Sequence, residues 1–157
     1  MNFVKKTALV VGLVVVTNSV LAEPAKSLKH AKQVVELRES LYQLLGSNMA
    51  PLGAMAKGKI PLNGDAVEKY ATRIHQLSLM MPDYLRTDTS KFKVKTEALP
   101  KIWQQNDKFK QAMERLTKAS ANLQLVAKSS DKNVIKKAIT DVGKSCGGCH
   151  DDFKEED

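Results

Sequence analysis

The sequence is poor in the residues that staple small folds and stiffen sheets: two cysteines, eight glycines and five prolines in 157 residues, with 5% aromatic side chains. Two cysteines cannot build a disulfide-dense miniprotein. At this length none is needed, because one domain can bury roughly two-thirds of its unfolded surface. Scarce glycine and proline exclude a fibrous repeat, and 43% hydrophobic residues beside an ordinary 27% charged fraction exclude a disordered chain. Few aromatics among many Ala, Leu, Lys, Gln and Glu favour helices over sheets. An all-α domain is expected.

The chain also lacks the run of about 20 apolar residues that spans a bilayer. Ala8 to Val16 is apolar, but Thr17, Asn18 and Ser19 interrupt it. With Lys5 and Lys6 before an uncharged run from Thr7 through Val20, and a small residue at Ala22, residues 1–22 read as a secretory signal peptide, an uncleaved N-terminal anchor being the alternative. Removing 22 of the 157 residues, including Lys5 and Lys6, leaves 135 and lowers the formal charge from +8 to +6. The remaining positive charge is dispersed and has no aromatic interleaving. Export and this pattern both speak against nucleic acid as a partner.

In residues 23–157 the apolar spacing marks four helices. Val34, Leu37, Leu41, Leu44, Leu45, Met49 and Leu52 recur at steps of three and four over residues 28–52, and Gly53, Gly58, Pro61 and Gly64 end that run in a connector. A second helix opens at an Asn63 or Asp65 cap, carries Val67, Tyr70, Ala71, Ile74, Leu77 and Met81, and is expected to stop at Pro82. Residues 83–103 have no sustained period and read as a long irregular connection, a length that implies it covers something. A third helix runs from about Asp107 to Ala127, and a fourth follows the Ser129-Ser130-Asp131 turn with Ile135, Ala138, Ile139, Val142, Cys146, Cys149 and Phe153 on one face. An antiparallel up-down four-helix bundle is the economical arrangement.

Cys146-Gly147-Gly148-Cys149-His150 carries the chemistry. It has the form of a c-type haem attachment site: two thiols two residues apart reach the two vinyl groups of one haem, and the next imidazole is directed at the iron. The glycines offer no side chains to obstruct a porphyrin edge. A redox dithiol would want a strand before the motif, a structural zinc site would want four ligands, and a plain disulfide would leave His150 unexplained. Export agrees with the haem reading, since covalent attachment takes place beyond the membrane.

The motif lies in the last helix, seven residues before Asp157. With Val142 to Phe153 around it, Leu37-Arg38-Glu39-Ser40, Gly46 and Pro51-Leu52-Gly53 in the first helix, and Pro100-Lys101-Ile102-Trp103 in the long connection, the chain resembles the class II c-type cytochromes, specifically cytochrome c′. The resemblance implies one covalent haem c held by Cys146 and Cys149, with His150 Nε2 as the proximal iron ligand. Arg38 matches the arginine that meets a haem propionate, a fit of guanidinium to carboxylate. Glu39 stands where relatives often carry Gln, so it either turns outward or feels that propionate. Thr96 and Glu97 fall where the loop approaches the haem edge. Low-spin relatives complete the iron with a Met four residues after the arginine, whereas this chain has Tyr42 there.

That substitution implies an open sixth position and a pentacoordinate, high-spin iron, with Tyr42, Leu41, Leu45, Ile74 and Phe109 covering it. Met49, Met55, Met80, Met81 and Met113 are ligand candidates on chemistry alone, but a Met at helical spacing is more often core. An apolar, crowded site admits small diatomics, and the resemblance implies NO and CO as the ligands, with transfer to an unidentified electron donor or acceptor accompanying or competing. A low-spin electron-transfer cytochrome is the second reading, and an NO-reducing or peroxidase-like enzyme the third. Lys154, four residues after His150, matches a basic residue that assists proximal NO binding in some relatives, against the alternative of a solvated terminal lysine. His30 and His75 read as surface residues. The resemblance further implies a periplasmic location, no membrane attachment after signal cleavage, and a homodimer formed through the first two helices.

Overall fold

The computed structural model describes residues 22–156, so the expected signal peptide, apart from Ala22, lies outside the described residues. Four long helices form the body: α1 (Leu28–Ala56), α2 (Gly64–Leu85), α4 (Asn106–Val126) and α5 (Lys132–Phe153), with a single-turn α3 (Lys101–Gln104) before α4. α1 packs on α2, α2 on α4, α4 on α5 and α5 back on α1, which closes the expected antiparallel four-helix bundle. No helix among the described residues is long and apolar enough to cross a membrane.

The caps are local and legible. Ser27 Oγ accepts from His30 N, Asn63 Oδ1 from Ala66 N, and Asp131 Oδ1 from Asn133 N, each satisfying a donor at a helix start. Just past the Lys57 cap of α1, Gly58 has a φ of 71°, the left-handed conformation that glycine adopts without a Cβ penalty. Gly64 has a different constraint: a Cβ there would stand 2.9 Å from Ala127 O, so glycine lets the start of α2 approach the end of α4.

Two expected helix ends move outward. α1 passes through Pro51 and Gly53 to Ala56, and α2 passes through Pro82 to Leu85. In both cases burial on the interior stripe outweighs the lost backbone hydrogen bond: Leu52 and Met55 beyond the first proline, and Leu85 beyond the second, are all at most 5% exposed. The α1 stripe is also rotated from the one expected. Ala31, Val35, Arg38, Leu41, Asn48, Leu52 and Met55 face inward, while Leu37 and Leu44 remain 53% and 52% exposed. Two polar interior positions, Arg38 and Asn48, disguise the true face.

The long connection contains two short elements and is fastened at both ends. β2 (Thr87–Asp88) pairs in parallel with β1 (Glu23–Pro24), and Ala25 N donates to Asp88 O at 2.7 Å. Further on, Leu99 N donates to Phe153 O at 2.9 Å and Glu155 N to Glu97 O at 2.7 Å, which clips the loop to the end of α5. The first clip lies beside Arg38, whose Nη2 donates to Thr87 O, and the second lies at the end of α5, just past His150.

Candidate haem site

α5 brings Cys146, Cys149 and His150 to the end of the helix opposite its Asp131 cap. At about 100° per residue, positions i, i+3 and i+4 share one face, so the two thiols and the imidazole project together. Both cysteines are half-buried against the core, whereas His150 is exposed. A Cβ at Gly147 or Gly148 would meet nothing within 4 Å, so the strip between the thiols is clear. Burial pushes both thiols up, Cys149 to about 11 with the neighbouring Cys146 adding to it. Before haem attachment they are protonated thiols at neutral pH. Among the described residues no cluster of three or more His, Cys, Asp or Glu side chains could hold a metal ion, so the zinc alternative finds no ligand set.

Across from them, α1 supplies Arg38 and Tyr42, one turn apart. Arg38 is 1% exposed. Its Nη2 donates to Thr87 O at 3.1 Å, and its guanidinium carbon lies 5.2 Å from the Trp103 ring centroid. Trp103 is itself held by Nε1 donating to Leu85 O at 3.2 Å. Nε and Nη1 of Arg38 are buried without a protein partner. Desolvation lowers its pKa, partly offset by Tyr42, Glu39 and Asp88. A buried cation with open donors is costly unless an anion supplies acceptors, about 1–3 kcal/mol per unmet donor and more for a charged group. Carboxylates of a porphyrin are such acceptors.

Tyr42 is half-buried beside the core. Burial drives its phenol well above the ordinary range; Cys149 adds to the rise and Arg38 opposes it, so the three side chains share one neighbourhood. The hydroxyl is neutral across the physiological range. Leu41, Ile74 and Phe109, each at most 4% exposed, and the half-buried Leu45 belong to the same apolar cluster. Of the methionines, Met55, Met81 and Met113 are buried core residues, Met80 is 40% exposed, and the Met49 methyl packs beside Gly143.

The remaining expected residues divide. Glu39 is exposed on α1, in the outward orientation. Thr96 Oγ accepts from Ala98 N at 3.2 Å, and Glu97 pairs through Oε2 with Lys154 Nζ at 3.4 Å, so the loop and the residue four past His150 are joined. Lys154 is thus not a freely solvated terminal lysine. His75, expected to face outward, lies half-buried on the α2–α4 seam, where Nδ1 is 3.2 Å from Thr117 O. Since that carbonyl only accepts, Nδ1 carries the proton. Thr87 and Trp103 were missed as site residues. Thr87 acts through its backbone carbonyl and leaves no side-chain signal, but Trp103 is the only tryptophan and stands in the matched loop string.

Residues 33–154 match the sequence model of the cytochrome c′ family. The chain belongs to that family. Among its relatives, a cytochrome c′ of Cereibacter sphaeroides is 35% identical over 79% of this chain and 84% of its own length, and a cytochrome c-554 of the same species is 29% identical over 90% and 94%. The solved cytochrome c prime of Shewanella frigidimarina superposes with a TM-score of 0.73 at 36% identity, covering 80% of this chain and 97% of that one. A nitric oxide complex of a variant cytochrome c prime from Alcaligenes xylosoxidans shares the fold, with a TM-score of 0.71, 24% identity, and coverage of 81% and 97%. As a cytochrome c′, this protein carries covalently bound haem c. The open donors of Arg38 and the unobstructed strip between the two thiols fit that group.

Proposed function

We propose that this cytochrome c′ is an exported, periplasmic haem protein, residues 23–157 after loss of the signal peptide, whose iron keeps an open position for NO or CO. When bound, the haem supplies an iron that takes one diatomic ligand and can exchange one electron. Cys146 and Cys149 would hold it as thioethers, with His150 Nε2 as the protein's ligand to the iron. Arg38 is held by Thr87 O and Trp103, and its two unpaired donors would meet propionate oxygens. Thr96 and Glu97 set the loop edge, and the Glu97–Lys154 pair joins that edge to α5.

The observation that carries this reading is Tyr42. It stands where a methionine would complete a low-spin iron, and its buried phenol stays protonated, which makes it a steric cover and a poor ligand. With Leu41, Leu45, Ile74 and Phe109 it excludes water and large ligands. A haem peroxidase would place polar acid–base groups here, and these neighbours are apolar. Binding of NO by the Alcaligenes relative accords with the reading. Tyr42→Ala tests it: flash-photolysis rates for CO or NO association should rise at least about tenfold, the effect of ~1.4 kcal/mol off the barrier. Unchanged rates would remove Tyr42 from ligand control.

A homodimer through the first two helices accords with the exposed Leu37 and Leu44, seven residues apart on one face of α1, and with Leu79 and Met80 exposed on α2. Isolated surface leucines are ordinary, but this pairing on adjacent helices fits a second copy of the chain.

A further inference from the structure

The connection between β2 and α3 holds a basic feature that the haem site does not use. From Ser90 to Thr96 the chain reads Ser-Lys-Phe-Lys-Val-Lys-Thr, with Lys91, Lys93 and Lys95 exposed and Phe92, Val94 and Thr96 half-buried. Phe92 N donates to Thr89 O at 3.1 Å and Val94 N to Phe92 O at 3.0 Å, so the segment is a turned loop whose exposure alternates, and the three lysines stand on its solvent side. Lys101, also exposed, follows at the start of α3. None of these four lysines makes an ion pair with a described residue. The acidic residues at either end of the segment are engaged elsewhere: Asp88 Oδ1 accepts from Ser90 N at 2.8 Å, and Glu97 pairs with Lys154.

The position of the segment gives these charges a use. At one end, Thr87 O receives Arg38 Nη2. At the other, Glu97 O receives Glu155 N, five residues beyond His150. The stretch between these two clips therefore runs along the edge of the haem site, with its half-buried alternate residues turned toward the body of the protein. A surface of unpaired cations attracts an anionic partner over a Debye length of about 30 Å at 0.01 M salt and about 8 Å at physiological strength. Electrostatic steering of this kind acts mainly on the association rate.

We propose that Lys91, Lys93 and Lys95 form the docking face for an acidic electron-transfer protein that exchanges one electron with the haem across this edge. The proposal rests on the redox part of the functional reading above. In the reaction tested, one electron leaves the ferrous haem, which becomes ferric, and reduces hexacyanoferrate(III) to hexacyanoferrate(II), with no proton transferred.

The experiment uses the ¹⁵N-labelled holoprotein and two trianions. Hexacyanochromate(III), redox-inert and paramagnetic, should broaden amide signals of residues 90–96 first. In stopped flow at about 10 mM ionic strength, oxidation by hexacyanoferrate(III) should be about tenfold or more slower in Lys91→Gln/Lys93→Gln/Lys95→Gln than in the parent, and the difference should shrink as salt is added. A charge-matched control, Lys57→Gln/Lys59→Gln/Lys136→Gln, alters lysines remote from the motif along α1 and α5 and should change the rate less than threefold. Equal slowing in both triple variants would reduce the effect to net charge and overturn the proposal, as would broadening centred elsewhere. Broadening at residues 90–96 without any oxidation would refute the redox reading itself, and the proposal with it. Loop-dependent binding to phosphatidylglycerol vesicles, together with unchanged oxidation rates, would assign the face to a lipid surface instead.

Discussion

Arg38→Met is the substitution whose outcome follows most directly from the geometry. Methionine keeps the length and apolar stem of the side chain and removes the guanidinium. The holoprotein loses the hydrogen bond to Thr87 O, worth about 1 kcal/mol, the contact with the Trp103 ring, about 0.5–2 kcal/mol, and the charge-assisted bonds to the propionates, about 1.5–3 kcal/mol. Relief from burying a cation returns part of this. A net loss of about 2–3 kcal/mol is expected, which for a domain of this size lowers Tm by roughly 6–12 °C. Guanidinium chloride titration of the ferric holoprotein, followed in parallel by the Soret band and far-ultraviolet circular dichroism, measures it. Arg38→Lys should recover only part of the loss, because an ammonium keeps the charge but cannot span Thr87 O and two further acceptors from one plane. If Arg38→Met were as stable as the parent, the Nε and Nη1 donors would have no acceptor in the holoprotein, and the assignment of Arg38 to the propionates would fail.

Two further outcomes test the frame around the site. Gly64→Ala places a Cβ 2.9 Å from Ala127 O, a backbone atom that yields only if the α2 start moves away from the α4 end; a loss of about 1–2 kcal/mol in chemical denaturation is expected, and a neutral result would show that this junction is loose. Leu37→Glu/Leu44→Glu should convert a sedimenting dimer to monomer with the Soret spectrum unchanged, whereas a dimer that survives both charges would place the interface elsewhere.

What could be read beforehand was periodic or punctuated. The four-helix arrangement came from repeating apolar steps, the starts of α2 and α5 from Asn63 and Asp131, and the haem site from five consecutive residues whose chemistry is nearly self-explanatory. The misses have a common physical cause: tertiary burial decides what local sequence leaves open. Gly53 and Pro82 read as stops, yet Met55 beyond the first and Leu85 beyond the second are buried on the interior stripe, which outweighs the local preference to end the helix. Arg38 hid the interior face of α1 because a charged residue reads as exposed until an anion is placed beside it. His75 looked outward because nothing in its own segment announces a carbonyl offered by Thr117 on another helix. β2 and α3, two and four residues long, are too short to show a period. The positive charge read as dispersed along the chain; that Lys91, Lys93 and Lys95 stand exposed together beside the haem site became visible only with the loop's two anchor points.

The central claim is that the iron keeps an open position beneath Tyr42, and the absorption spectrum of the dithionite-reduced holoprotein at neutral pH, before and after CO, tests it most directly. A five-coordinate, high-spin ferrous spectrum that converts fully to a CO adduct is the expected result. A six-coordinate, low-spin spectrum that CO leaves unchanged, with a methionine-to-iron band in the ferric state, would contradict it.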